Sequence, residues 1–89
     1  MVPCQYKKMF LKDLAKVHPD YRKRIEVLVF EKIPVLEDIF TELDIRKIRG
    51  YRDYYRIRVG SYRIGCRIQD GILTFYRVKS REEIYGVFP

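Results

Sequence analysis

Histidine and cysteine, which supply many metal sites and nucleophiles, are scarce. The 89-residue chain has one histidine, His18, and two cysteines, Cys4 and Cys66. The two thiols lack metal-ligand spacing, and Cys66 falls on the apolar side of a strand, as a buried thiol would. His18 sits beside Pro19 between two helical segments, which suits a surface or capping residue better than half of a catalytic pair. No motif calls for a metal or a small-molecule cofactor. No run of about 18 apolar residues exists, so no membrane span is expected. The opening "MVPCQYKKMFLKDL" lacks the apolar core, about 7–15 residues long, of a secretory signal. These absences point to a cytoplasmic protein. Acid is also missing, but only from one half. Residues 1–45 hold eight basic and eight acidic side chains, whereas residues 46–89 hold eleven basic and four acidic. The whole net charge of +7 therefore lies in the second half, and most of it is arginine. Arginine's planar fork suits phosphate and stacks on bases, so the asymmetry points to a polyanionic partner.

What is present centres on "YYRIRVGSYRIGCRI", from Tyr54 to Ile68. At the strand period of two, Tyr55, Ile57 and Val59 share one side, and Tyr54, Arg56 and Arg58 the other. After Gly60-Ser61, the residues Tyr62, Ile64, Cys66 and Ile68 continue the apolar side. Arg63, Gly65 and Arg67 continue the basic one. The stretch reads as a hairpin with an apolar face and an arginine face that carries no acid.

The rest of the chain supplies helices and further strands. Residues 2–6 read as a short strand weakened by Pro3. Phe10, Leu14 and Val17 recur at helical spacing through Lys7–Val17, with Leu11 and Ala15 widening the stripe and Lys8, Lys12 and Lys16 opposite. "HPD" breaks the chain, and Pro19 and Asp20 suit the start of a second helix that runs to about Lys32, with Tyr21, Ile25, Leu28 and Val29 on one face. Pro34 ends it. "VLEDIFTEL" has helical spacing but is short. Ile45–Gly50 reads as a strand or edge, and Asp70-Gly71 is a two-residue hairpin signal leading into Ile72–Val78. Ser80–Tyr85 reads as a helical turn. The expectation is one α+β domain over residues 1–89 in the order β-α-α-β-β-β. Its four-stranded, mostly antiparallel sheet would have two helices on one face, the first strand antiparallel to the second, and an open arginine face.

This order, with "KIRG", "YYRIRVG", "YRIGCRI" and "RVKSREEIY" at these spacings, resembles the RelE/ParE toxin superfamily, and its RelE branch in particular. The likeness spans nearly the whole chain. It implies the toxin half of a type II toxin–antitoxin pair: a metal-independent endoribonuclease that cuts mRNA on the ribosome and inhibits translation. Its partners would be the ribosome, mRNA and a cognate antitoxin that covers the basic face or displaces the C-terminal segment. Carried over position by position, the likeness gives Arg56, Arg63, Arg81 and Tyr85 catalytic roles. Lys47, Arg49, Arg58 and Lys79 would hold RNA. Many relatives carry glycine and histidine where this chain has Lys79 and Ser80. Two other readings share the fold: a ParE-like inhibitor of DNA gyrase, and a relative that binds RNA but cuts it weakly.

The chemistry narrows the roles. Cleaving RNA through its 2′-OH requires removal of that proton, neutralisation of the phosphorane and protonation of the leaving 5′-oxygen. Guanidinium groups neutralise charge but exchange protons poorly. Tyrosine beside cations is a possible base, because cations favour phenolate, and equally a stacking platform. Tyr85 can also be read as a packing anchor with Val87 and Phe88. Arg67 reads as a structural or solvated arginine, and Tyr54 and Tyr62 as packing residues. Weak acid–base machinery would make the ribosome's positioning of the message important.

Overall fold

The computed structural model describes all of residues 1–89. Strand β1 is Cys4–Tyr6, followed by helices α1 (Lys8–Ala15) and α2 (Pro19–Glu26). Phe10 and Leu14 turn inward from α1, while Lys8, Lys12 and Lys16 stay exposed. His18 caps α2, its Nδ1 accepting from Asp20 N at 3.4 Å. The chain then continues as a wider π-helical turn over Val27–Lys32 and a 3-10 turn over Ile33–Val35, where Pro34 stops it. The widening keeps Ile25, Val29 and Ile33 on one buried line. Helix α3 is a single turn, Ile39–Glu42, capped by Asp38, whose Oδ1 accepts from Phe40 N at 2.9 Å.

Strands β2 (Ile45–Lys47), β3 (Tyr54–Val59), β4 (Tyr62–Gln69) and β5 (Ile72–Ser80) form the antiparallel part of the sheet. The hairpin between β4 and β5 turns at Asp70 and Gly71, with φ of 53° and 78°. Both lie in the left-handed region that an Asp-Gly pair enters readily. The sheet has five strands in the order β1-β5-β4-β3-β2.

Two expectations about the strands need correction. The sheet has five strands, because Ile45–Lys47 is a separate edge strand paired with β3. Strand β1 does not pair with the second strand at all; it lies parallel to β5, with Cys4 opposite Leu73. With β2 occupying the β3 edge, β5 is the edge left for β1. A strand of three residues carries too little pattern to announce its partner.

The main core lies between sheet and helices. It joins Phe10, Leu14, Val17, Ile25, Val29 and Ile33 to Ile57, Ile64, Cys66, Leu73, Phe75 and Val78, with Ile39 beside them. Burial pushes the Cys66 thiol far above its usual range, which makes it a packing group. The opposite face is not fully open. A second cluster of Ile48, Ile84 and Phe88 packs there with Tyr54 and Tyr76, so the C-terminal segment covers the middle of the sheet.

Candidate functional site

The β3–β4 ladder sets Arg56 opposite Gly65 and Arg58 opposite Arg63, and β2 adds Arg46 opposite Arg56. Facing like charges cost stability, so such a concentration asks for a reason beyond the fold. Several contacts orient the guanidinium groups. Arg63 Nη1 donates to Gly60 O at 2.8 Å and Tyr62 O at 3.0 Å. Asp44 Oδ2 lies 3.9 Å from Arg58 Nε, and its Oδ1 lies 3.8 Å from Arg46 Nε. The Arg56 guanidinium stands 4.6 Å from the centre of the Tyr85 ring.

Together these residues line a groove of about 380 Å³ on the sheet face. Arg46, Lys47, Arg49, Arg56, Arg58 and Arg63 supply six cations, with Tyr85 on the wall and Asp44 as the one acid. Lys47 Nζ is held near the rim by donating to Tyr51 O at 3.3 Å. Chemically, the groove can bind and neutralise a phosphodiester, offer an aromatic face to a base, and present two groups able to exchange protons, the Tyr85 hydroxyl and the Asp44 carboxylate. A cleft of about 410 Å³ on the helical side, beside α2 and Val59, is similar in size. It gathers only Lys23, Arg24 and Lys32 as cations, and none of the sheet arginines. No group of three or more His, Cys, Asp or Glu side chains comes together as a metal-ligand set.

Of the eight residues singled out in the sequence, the groove gathers Lys47, Arg49, Arg56, Arg58, Arg63 and Tyr85. Arg81 and Lys79 are not among its lining residues. Arg81 follows β5, and its Nε pairs with Glu82 Oε1 at 3.0 Å. That pairing holds the exposed Glu82 carboxyl below its ordinary range. Lys79 turns to the sheet edge, where its Nζ lies 3.6 Å from Asp13 Oδ1. Arg67 lies on the same face outside the groove, 5.4 Å from the Tyr54 ring centre. Tyr85 is 69% exposed, so it is not the packing anchor of the C-terminal segment; Phe88, at 6%, fills that place.

Sequence reasoning missed Arg46 and Asp44. Arg46 shares the arginine face by its pairing with Arg56, a signal that only the β2 register reveals. Asp44 precedes β2, and its carbonyl accepts from Arg58 N at 2.9 Å, which brings its carboxylate to the groove.

Comparison with known proteins follows the same outline. Residues 5–85 match the profile of a family described as the ParE toxin of the type II toxin–antitoxin system parDE. The chain is 45% identical over 86 residues to Toxin RelE3 of Methanocaldococcus jannaschii, covering 94% of this chain and 96% of that one. It superposes with a TM-score of 0.80 on a chain of the RelB–RelE antitoxin–toxin complex from Methanococcus jannaschii, at 42% identity, covering 96% of this chain and 99% of the other. A chain of the archaeal RelE–RelB complex from Pyrococcus horikoshii shares the fold at a TM-score of 0.62 and 23% identity, with 90% and 94% coverage.

Proposed function

The chain belongs to the RelE/ParE superfamily of type II toxins, and from that premise we propose that it is a RelE-type, ribosome-dependent mRNA endoribonuclease restrained by a cognate antitoxin. The observation that carries this reading is the groove, in which six cations and Tyr85 converge around one acid. In the proposed reaction, Arg56 and Arg63 stabilise the charge that develops on the scissile phosphate. Lys47, Arg49 and Arg58 hold the flanking backbone. Tyr85 either stacks on a base at the cut or takes the 2′-OH proton. If the tyrosine only stacks, Asp44 is the other group in the groove able to accept that proton. With the proton removed, the 2′-oxygen bonds to phosphorus, and the P–O5′ bond breaks to leave a 2′,3′-cyclic phosphate. The departing 5′-oxygen takes its proton from water, since guanidinium groups donate poorly.

Arg81 reaches the phosphate by exchanging its exposed Glu82 partner for the RNA, an exchange that costs little because exposed ion pairs are weak. Lys79 contacts RNA only by leaving Asp13, so its share in binding is the smallest of the set. A cognate antitoxin is expected because a relative at 42% identity was solved in complex with RelB, and charge complementarity would set an acidic part of it against the basic face.

The matching profile is described for ParE, which favours one second reading: the same fold binding a topoisomerase. Primer extension on a translated message with added protein separates the two. Cuts within the codon in the ribosomal A site support the endoribonuclease. DNA gyrase inhibition without cuts supports the topoisomerase inhibitor. RNA binding with neither leaves a relative that has lost its chemistry.

A further inference from the structure

The segment after β5 is built to hold one side chain in place. Ser80 Oγ donates to Glu83 Oε1 at 2.9 Å and accepts from Glu83 N at 3.3 Å, which starts the turn. Ile84–Gly86 forms a 3-10 turn, and Val87 N and Phe88 N both donate to Ile84 O, at 3.2 and 2.9 Å. Ile84 and Phe88 therefore point into the sheet, at 0% and 6% exposure, while Tyr85 between them points out. The Phe88 ring lies 5.6 Å from Tyr54 and 5.9 Å from Tyr76. Its seat is Gly65, where a Cβ would collide with the ring. Gly65 also faces Arg56 across the ladder, and Arg56 is the residue that Tyr85 covers. An exposed cation–π contact is too weak to fix a ring alone. Order in Tyr85 must come from its buried neighbours. These form a cluster separate from the main core.

We propose that Phe88, seated on Gly65, is a positioning residue that holds Tyr85 over Arg56 at the groove. The inference rests on the reading of that groove as an RNA-cutting site. It explains why a strand of the arginine face contains a glycine: the missing side chain is the socket for the ring.

The test measures two quantities on one ribosome-bound message, the single-turnover cleavage rate and the affinity for the complex. Phe88→Ala should cut on the order of a hundredfold more slowly, because small misplacements of reacting groups cost that much. Binding should fall far less than the rate, since the six cations that supply most of it are untouched. Gly65→Ala should reproduce the loss by unseating the ring, and Phe88→Leu should recover part of it. Tyr85→Ala combined with Phe88→Ala should be no slower than Tyr85→Ala alone, because a residue that acts only through Tyr85 has nothing further to lose. If Phe88→Ala melts below the assay temperature, Phe88→Leu and Gly65→Ala carry the comparison. Wild-type rates in folded Phe88 and Gly65 variants, beside an inactive Tyr85→Ala, would overturn the positioning role and leave the groove intact. Multiplicative losses in the double variant would also overturn it, by showing a role independent of Tyr85. Full activity in Tyr85→Ala would remove Tyr85 from the site and the inference with it, whereas an uncut message with the wild type would remove the site reading itself.

Discussion

Tyr85 is exposed yet stands over Arg56, and that combination lets a single atom decide its role. Tyr85→Phe keeps the ring and loses only the hydroxyl. If the hydroxyl takes the 2′-OH proton, Tyr85→Phe should fall about as far as Tyr85→Ala in single-turnover cleavage. If the ring only stacks, Phe should stay within a few-fold of wild type while Ala drops, and Asp44→Asn should then abolish most cleavage. Arg81 poses a different question, because its guanidinium is already paired with Glu82. Arg81→Ala should cost ~3 kcal/mol of transition-state stabilisation, about a hundredfold in rate, with the melting temperature unchanged. The fold should tolerate the change because the side chain is exposed and outside both cores. A fully active Arg81→Ala would confine the catalytic set to the residues that line the groove.

The elements differ in how plainly the sequence announces them. The β3–β4 hairpin was legible to the residue: Ile57, Ile64 and Cys66 are buried where the alternation placed them, and Arg56 and Arg63 lie on the other face. The helical stripe of α1 was legible at its centre, since Phe10 and Leu14 are buried and the lysines are not, but Leu11 and Ala15, which would widen it, are exposed. Strand β1 was readable as an element but not in its pairing, because three residues carry no pattern that names a partner and its parallel pairing depends on which edge is free. Strand β5 hid its register. Gly65 pairs with Arg77 and Cys66 with Phe75, so Tyr76 is an extra residue and the faces shift there. The shift sends Arg77 to the sheet edge beyond β1. There the buried Asp13 accepts from Arg77 Nε at 2.6 Å, Arg77 Nη2 at 3.2 Å and Val78 N at 3.2 Å. A carboxylate from α1 thus completes the hydrogen bonding of a strand that has no neighbour at that point. Asp13→Ala should cost about 3 kcal/mol, since breaking a buried pair strands the partner charge. In a chain of this length that lowers the melting temperature by roughly 15 °C. Asp13→Asn should cost less, because the amide oxygen can still accept from Val78 N. Equal losses for the two variants would mean that the charge, rather than the edge hydrogen bond, is what matters. On the functional side, Arg56, Arg58 and Arg63 were readable from strand parity, whereas Arg46 needed the β2 register. Asp44, Phe88 and the diversion of Lys79 to Asp13 depend on tertiary contacts that no local pattern carries.

At the scale of the whole molecule, charge and cover are divided between the two sides of one sheet. The helices bury the apolar face, and the C-terminal segment covers the middle of the other face. The groove keeps six cations in water around one acid. Affinity for single-stranded RNA should therefore depend steeply on salt, with a log–log slope of about −0.7 for each phosphate neutralised. Four or five contacts give a slope near −3, measured by titrating a labelled oligonucleotide across salt concentrations. A flat response would remove the basic groove as the RNA site. The central claim is that this groove cuts messages on the ribosome, and primer extension on a translated message tests it most directly, with wild-type protein beside a folded Arg56→Ala, Arg63→Ala double variant. The account predicts cuts within the A-site codon for the wild type and their loss in the variant. An uncut message with the wild type, or undiminished cutting by the double variant, would contradict it.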